Sequence, residues 1–324
     1  MNEPAPLASV LVMAYRQEAT IEAAVRGALS QTYSPLEIVI SDDASDDGTW
    51  AAIERATAGY AGPHRIILNR NPSNLGIGAH LNRMVALSHG ELVVVAAGDD
   101  VSLPQRCSRV MAAWLAADRR PDLIASALLD LDAAGGDHGV IVPSDLGTYR
   151  DASDWSARPP YVVGAAQAWT RRLFDFFGPL PAGTVAEDLV MVFRAILRGG
   201  ALTLPEPLVR YRRGGISSRR RAMHAREVVE RLLRNNRHAL VELPQLMADA
   251  QRAGQWEAVR TPLTLQLERE RVVRDLFAAR AGPGRLRRLV GARQVPLAER
   301  VRLWVYASVP GVLGPFFAVK RWLN

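Results

Sequence analysis

Cysteine is almost absent from this sequence: Cys107 is the only one in 324 residues. An internal disulfide needs two cysteines, so the small domains that depend on internal disulfides are excluded, and a reducing compartment is the natural setting. The opening residues, MNEPAPLASVLVMAY, have neither the basic start nor the long apolar core of a secretion signal. We therefore expect a cytoplasmic protein.

Long hydrophobic runs are lacking as well. The uncharged stretch at 303–319 has 17 residues and would reach roughly 25 Å as a helix, short of the ~30 Å hydrocarbon core of a bilayer. Two prolines and two glycines interrupt it, and basic and aromatic side chains lie beside it. This composition predicts an interfacial anchor at 297–324 on the inner face of the cell membrane, held by an anionic surface. The alternative is a terminal segment that packs on the protein's own core.

Acidic residues become scarce toward the end of the chain. Residues 216–324 contain 20 arginines and one lysine against nine acids, whereas residues 1–215 contain 19 arginines and no lysine against 24 acids. Such a basic end attracts nucleic acid or an anionic membrane surface. We expect a principal domain at 1–215 and a basic helical region at 216–324.

Strand-like and helix-like patterns alternate through the front of the chain. The predicted strands are short β-branched runs at Ser9–Met13, Leu36–Ser41, Arg65–Leu68, Leu92–Ala96 and Leu123–Ser126. Helical spacing of apolar residues occurs at Ile21–Leu29, Thr49–Ala58, Ile77–Leu87 and Pro104–Ala116. Continuous apolar strands that alternate with helices predict an α/β fold, in which helices cover both faces of a mostly parallel sheet.

Each of the first four predicted strands leads into a polar cluster. In chain order the clusters are AYRQEAT, DDASDDGT, NRNPSNLGIGAHLN and AGDD. Ligands of such sheets bind beyond the carboxyl ends of the strands, so we expect the four clusters to meet at one edge.

The acidic cluster DDASDDGT allows two interpretations. In the first, Asp42 binds a base or ribose, and Asp46–Thr49 begin the next helix. In the second, the cluster is a calcium loop, whose D-x-S-x-D-G spacing fits Asp43, Ser45, Asp47, Gly48 and Glu54. That loop needs a preceding helix, whereas LEIVIS predicts a strand.

Two further acidic pairs could carry chemistry. Asp99 and Asp100 end a valine-rich strand, and such a pair can bind Mg²⁺ or Mn²⁺ together with phosphate oxygens. Asp100 alone could instead cap the next helix, so Asp99 is the better ligand. Glu187 and Asp188 begin an apolar helix, where helix capping is one explanation and general base catalysis is the other.

Five motifs occur in an order that resembles family 2 of the glycosyltransferases, which are inverting enzymes with the GT-A fold. They are VLVMAYRQEATI, EIVISDDASDDGT, NLGIGAHLNRMVALSHGELVVVAAGDD, GAAQAWTRRLFDFFGPLP and AEDLVMVFRAILRG. The resemblance spans about residues 8–213. The resemblance implies that residues 1–215 are a GT-A catalytic domain that binds a nucleotide-diphosphate sugar.

The resemblance also implies roles for particular residues. The nucleotide-sugar site would contain Ala14, Tyr15, Glu18, Asp42, Asn74, Gly76 and Asn82, with Asp42 on the base. Asp99 would bind a divalent metal, Mn²⁺ or Mg²⁺, and Asp188 would be the catalytic base.

The sequence departs from the family pattern at two places. Many relatives read D-x-D-D where this chain has Ala97, which leaves one carboxylate fewer for the metal. Relatives often carry a histidine after the last strand of the sheet, where this chain has LVRYRRGGIS. Arg212 or Arg213 would then neutralise the diphosphate, although an exposed arginine pair is the plainer explanation.

The resemblance implies an inverting, metal-dependent glycosyltransferase, and with the basic end of the chain it predicts a role in bacterial envelope polysaccharide or glycolipid synthesis, with a glycan or lipid-linked acceptor. One alternative is a metal-dependent nucleotidyltransferase, but AYRQEAT lacks the Gly-rich loop that cradles a triphosphate. Another is a nucleic-acid-binding protein that uses the basic end. Its arginines are not interleaved with stacking aromatics, so we expect no nucleic-acid partner.

Overall fold

The structure is a computed structural model that describes residues 4–132, 135–212, 225–279, 282–291 and 293–309. The chain divides into two compact units. The first comprises Met1–Ser218 with Arg252–Gln255, and the second comprises Arg219–Gln251 with Trp256–Asn324.

Within the described part of the first unit, nine strands form one mixed sheet. Their order is β3-β2-β1-β4-β8-β6-β9-β5, and β7 pairs with β6. The strands are β1 (Ala8–Ala14), β2 (Leu36–Asp42), β3 (Arg65–Arg70), β4 (Leu92–Ala97), β5 (Val101–Ser102), β6 (Leu123–Leu131), β7 (Asp137–Ile141), β8 (Gln167–Thr170) and β9 (Ala201–Arg212). The α/β fold class and all five predicted strands are confirmed.

The parallel part of the sheet comprises β3, β2, β1 and β4. Apart from the outer strand β3, these strands are buried almost throughout, which explains their unbroken apolar sequences. The other half is mixed, because β8 runs antiparallel to both β4 and β6 while β9 runs parallel to β6.

Seven helices flank this sheet in the described residues. They are α1 (Ile21–Leu29), α2 (Thr49–Thr57), α3 (Ile77–Leu87), α4 (Arg106–Ala116), α5 (Ala152–Ala157), α6 (Arg171–Phe177) and α7 (Glu187–Leu197). The four predicted helices are confirmed to within two residues at each end. The main core packs Val10, Ile38 and Val94 of the parallel strands against Ile21 of α1 and Trp114 of α4.

The second unit is helical in its described residues, as expected for the C-terminal region. Its helices are α8 (Ala225–Arg252, with its last residue in the first unit), α9 (Trp256–Ala278), α10 (Pro283–Gly291) and α11 (Leu297–Ser308). A small core joins Val273 and Leu276 of α9 to Leu303 of α11. No helix in the described residues is both long and apolar enough to cross a bilayer. Residues 310–324 of the predicted anchor lie outside the described residues.

Candidate active site

The parallel strands place three predicted clusters side by side at one edge of the sheet. Ala14 at the end of β1 pairs with Asp42 at the end of β2, which pairs with Arg70 at the end of β3. On the other side of β1, the amide of Gly98 donates to the oxygen of Met13 at 2.8 Å. The turn that carries Asp99 therefore starts beside the end of β1.

Asp42 lies fully buried at this edge. Its carboxylate accepts hydrogen bonds from the backbone amide and hydroxyl of Ser45, and the Arg70 guanidinium lies 3.3 Å away. These contacts satisfy the buried carboxylate oxygens and fix the direction of the side chain. The base-binding role of Asp42 stays a prediction.

The cluster after β1 contacts the acidic loop after β2. Arg16 has a left-handed backbone (φ 52°), and its guanidinium forms a two-pronged ion pair with Asp46 at 2.7 and 2.8 Å. The Glu18 carboxylate accepts from the amide of Gly48, at the start of α2, at 2.8 Å. Tyr15 is 41% exposed, so its ring is accessible at this edge.

The loop before α3 is held by Asp43. This carboxylate accepts from the side chain of Asn71 at 2.7 Å and from the amides of Leu75 and Gly76 at 2.9 and 3.0 Å. Asp43 therefore fixes the loop that contains Asn74, which is exposed. The calcium-loop interpretation is wrong, because strand β2 occupies the place of the required helix.

The Asn82 side chain forms two hydrogen bonds with the backbone of a distant segment. It donates to the oxygen of Leu180 at 2.8 Å and accepts from the Leu180 amide at 2.9 Å. Nearby, the amide of Gly78 donates to Thr184 at 3.1 Å, and a Cβ at Gly78 would meet Thr184 at 2.9 Å. Both contacts attach α3 to the segment that leads into α7. The predicted donor contact of Asn82 stays a prediction, since Leu180 occupies both ends of its amide.

The acid pair after β4 lies in an environment that disfavours negative charge. Burial raises the pKa of Asp99, while Arg212 and a hydrogen bond from Gln17 oppose the rise. Burial and the charge of Asp99 raise the pKa of Asp100 to about 7. The Asp100 carboxylate accepts from the backbone amide of Arg212 at 2.8 Å, so the end of β9 lies against this turn.

A buried arginine, Arg106, lies near the acid pair. No pattern in the sequence predicted this role. The Arg106 guanidinium donates to Ser102 at 2.9 Å, to the oxygen of Val95 at 2.8 Å and to the oxygen of Gln167 at 3.3 Å. Burial lowers its pKa to about 10, so it stays charged at neutral pH. Its position two residues after a proline gave no sign of this role.

Asp188 lies in the first turn of α7 and is half-buried. The side chain of Gln167 donates to its backbone oxygen at 3.2 Å. Gly164 approaches closely, since a Cβ there would lie 3.2 Å from the Asp188 side chain. Residues Gly164–Ala166 contact both β4, from whose end Asp99 follows, and α7, which carries Asp188. One short segment therefore links the elements that carry the two acids predicted to act together.

The residues at this edge fit a divalent cation. Mg²⁺ and Mn²⁺ bind through one or two carboxylates, with phosphate oxygens and waters as the other ligands. Asp99 and Asp100 are adjacent carboxylates whose pKa values burial raises, and a cation would relieve their repulsion. No group of three or more His, Cys, Asp or Glu side chains with metal-binding geometry occurs among the described residues. A metal bound to this acid pair would therefore need phosphate oxygens or waters as its remaining ligands.

Comparison with known proteins tests the resemblance. Residues 9–123 match the family described as Glycosyl transferase family 2. The resemblance to glycosyltransferase family 2 is therefore confirmed over these residues. The matched residues include the four strand-end clusters but end before Asp188, which the family match therefore leaves untested.

Individual relatives extend this result. The chain is 32% identical over 139 residues to EpsE of Bacillus subtilis, a match that covers 43% of this chain and 49% of EpsE. It thus spans about half the length of that relative. Succinoglycan biosynthesis protein ExoO of Rhizobium meliloti is 28% identical over 333 residues, which cover 93% of this chain and 89% of ExoO.

A solved structure supports the fold assignment. The mannosyltransferase PcManGT from Pyrobaculum calidifontis, in complex with GDP-Man and Mn²⁺, superposes with a TM-score of 0.54 at 18% identity and covers 95% of this chain and 86% of its own. The fold is therefore of the GT-A type, with an added C-terminal helical region.

Proposed function

We propose that the chain transfers a sugar from a nucleotide-diphosphate sugar to an acceptor hydroxyl with inversion of configuration. The observation that carries the proposal is that Gly164–Ala166 contact both β4, which leads to Asp99, and α7, which carries Asp188 in its first turn. Inverting transfer needs one site for the leaving diphosphate and, close to it, a base for the incoming hydroxyl.

The donor would bind along the ends of β1 and β2. The exposed ring of Tyr15 offers a contact surface for the nucleoside, and the buried Asp42 would receive a hydrogen bond from the base. Ala14, Glu18, Asn74, Gly76 and Asn82 complete the proposed site. Asp43 and Glu18 support it by fixing the two neighbouring loops.

Asp99 would hold the metal, with Asp100 behind it. A divalent cation at Asp99 would supply positive charge to the diphosphate oxygens as the bond to the sugar breaks. The Arg212 guanidinium, whose charge already acts on both acids, would neutralise part of the remaining charge. Arg212 thus takes the place that the resemblance assigns to a histidine; Arg213 lies outside the described residues.

Asp188 would take the proton from the acceptor hydroxyl. Its place in the first turn of α7 favours the ionised carboxylate, because the positive end of the helix dipole lies there. With Asp188 on one face of the sugar and the diphosphate on the other, a single displacement inverts the anomeric carbon.

The acceptor would belong to envelope polysaccharide or glycolipid synthesis. ExoO, which aligns over most of its length, is named for succinoglycan biosynthesis. Nucleotide sugars are made in the cytoplasm, so we propose that the enzyme works there, at the inner face of the membrane when its acceptor is lipid-linked.

The decisive experiment compares Asp188→Asn with Glu187→Gln, its neighbour in the same helical turn. We expect Asp188→Asn to lower kcat by roughly 10²–10⁴-fold while donor binding, measured by thermal stabilisation, persists. Glu187→Gln should keep most of the activity. Equal turnover in Asp188→Asn and the unmodified enzyme would remove Asp188 from the mechanism.

A further inference from the structure

Helices α10 and α11 form an antiparallel hairpin that two arginines fasten. Arg285 of α10 donates to the backbone oxygen of Ala307 near the end of α11. Arg300 of α11 donates to the oxygen of Leu289 near the end of α10 at 2.9 Å. Because each contact joins the start of one helix to the end of the other, the hairpin has a fixed geometry.

Each helix of this hairpin carries a pair of exposed aliphatic side chains. Leu286 and Val290 of α10 are 54% and 58% exposed, and Leu297 and Val301 of α11 are 63% and 43% exposed. Both pairs have i,i+4 spacing, so each pair lies on one face of its helix. The side of α11 that carries Leu303 packs against α9, so it is not free to bind a partner. Exposed aliphatic pairs on two helices that are joined in one hairpin indicate a binding surface.

The sequence around these aliphatic pairs is rich in positively charged residues. Residues 283–308 contain six arginines and one glutamate. Arg285 and Arg300 fasten the hairpin, whereas Arg287 and Arg293 are exposed and form no ion pair with any residue that the structure describes. Their charge is therefore available to an anionic partner.

We propose that the α10–α11 surface, defined by Leu286, Arg287, Val290, Arg293, Leu297 and Val301, binds the surface of an anionic lipid bilayer. The aliphatic pairs would enter the boundary between headgroups and acyl chains, while the two arginines contact lipid phosphates. The chain continues beyond Val309 with Phe316, Phe317, Lys320, Arg321 and Trp322, which is the same mixture of side chains. The proposed surface starts earlier than the anchor predicted at 297–324, because it includes α10.

Two other occupants fit the surface less well. A second copy of this chain would bring the same excess of arginine to the contact, and like charges repel across a symmetric interface. A nucleic acid would use the arginines but would leave the four aliphatic side chains exposed to water, because single strands stack on aromatic rings.

The test is co-sedimentation of the full chain with lipid vesicles. Vesicles of phosphatidylcholine alone are compared with vesicles that contain about one third phosphatidylglycerol, which supplies the negative surface. We expect binding to the anionic vesicles only, with loss at high salt. Leu286→Ser/Val290→Ser and Arg287→Glu/Arg293→Glu should each weaken binding by roughly tenfold or more.

Leu265→Ser is the matched control, because Leu265 of α9 is also 46% exposed but lies outside the hairpin. It should bind vesicles like the unmodified chain, and all variants should keep their circular dichroism and melting temperature. Equal vesicle binding by all variants would overturn the proposal. So would a dimer that separates in Leu286→Ser/Val290→Ser without any change in vesicle binding, since the surface would then join two copies. Vesicle binding requires neither the sugar donor nor the acceptor. Its absence would therefore contradict the membrane proposal and leave the proposed transfer reaction untouched.

Discussion

The side-chain amide of Gln167 donates a hydrogen bond to the backbone oxygen of Asp188 at 3.2 Å. The backbone oxygen of Gln167 accepts from Arg106, which also donates to the oxygen of Val95 in β4. Gln167 is 1% exposed and lies in β8, so its first contact joins α7 to β8, and its second joins β8 through Arg106 to β4, the strand that leads to Asp99. It is therefore a positioning residue for Asp188.

Replacing Gln167 should impair the chemical step more than donor binding. Gln167→Met keeps the size of the side chain but removes the donor to Asp188, so we expect kcat to fall about tenfold, with the donor KM changed less than about twofold. Steady-state kinetics measure both. A Gln167→Met variant with full kcat would show that this hydrogen bond does not position the base.

Removing Asp99 should weaken metal-dependent donor binding. We expect Asp99→Ala to raise the Mn²⁺ concentration needed for half-maximal activity by at least tenfold, since Mn²⁺ would lose its main protein ligand. Titration of chelator-treated enzyme with Mn²⁺ measures the shift. Asp118→Asn, at a carboxylate that is 83% exposed, should leave the titration unchanged. Full activity of the unmodified enzyme in excess chelator would contradict the metal assignment.

Asn82 and Asn74 should behave differently although both are predicted to line the donor site. Asn82→Ala should lower the free energy of unfolding by about 1–3 kcal/mol, because it leaves the backbone of Leu180 without its two partners. Asn74→Ala, at an exposed position, should keep its stability and raise the donor KM. Urea denaturation and donor kinetics separate the two effects. A large KM change in a fully stable Asn82→Ala protein would favour the donor contact.

His80 should make folding stability depend on pH. The ring is 2% exposed and contacts the Ser41 hydroxyl at 2.6 Å. Burial lowers its pKa below the usual 6.5, although Asp43 and Asp42 oppose this change. The unfolded chain therefore binds a proton that the folded chain resists, so stability is full above about pH 6.5 and falls as the pH drops below it.

Urea denaturation at several pH values tests this effect. We expect His80→Gln to flatten the decline between about pH 7 and pH 5, because glutamine does not titrate there. His138→Gln, at a histidine with a 41% exposed side chain, is the control and should leave the decline in place. If the free energy of unfolding declines equally steeply with falling pH in His80→Gln and in the unmodified chain, other titratable groups cause the decline.

The parallel half of the sheet and β6 could be predicted from the sequence, whereas β8 and β9 of the mixed half could not. Strands β1, β2 and β4 have continuous apolar runs because helices cover both faces of the sheet. Strand β8 has only four residues, QAWT, and β9 contains Pro205 and Pro207, so neither has the apolar run that marks a buried strand. Pairing with β4 and β6 makes them strands.

The candidate site divides in the same way. Strand-end acids such as Asp42 and Asp99 could be located because the carboxyl ends of parallel strands meet at one edge. The contacts of Arg106, Gln167 and Asp43 could not, since each joins segments that are distant in the chain or contacts backbone groups that any sequence provides.

By itself, the sequence determined the α/β class, the four helices that follow the first strands and the edge at which the acids lie, because apolar periodicity and turn chemistry are local properties. Only the tertiary structure decided that the start of α7 lies against Gly164 and Gln167, and that Asn82 contacts Leu180. Those contacts depend on strand order and close backbone approach, which are set by how the whole chain packs.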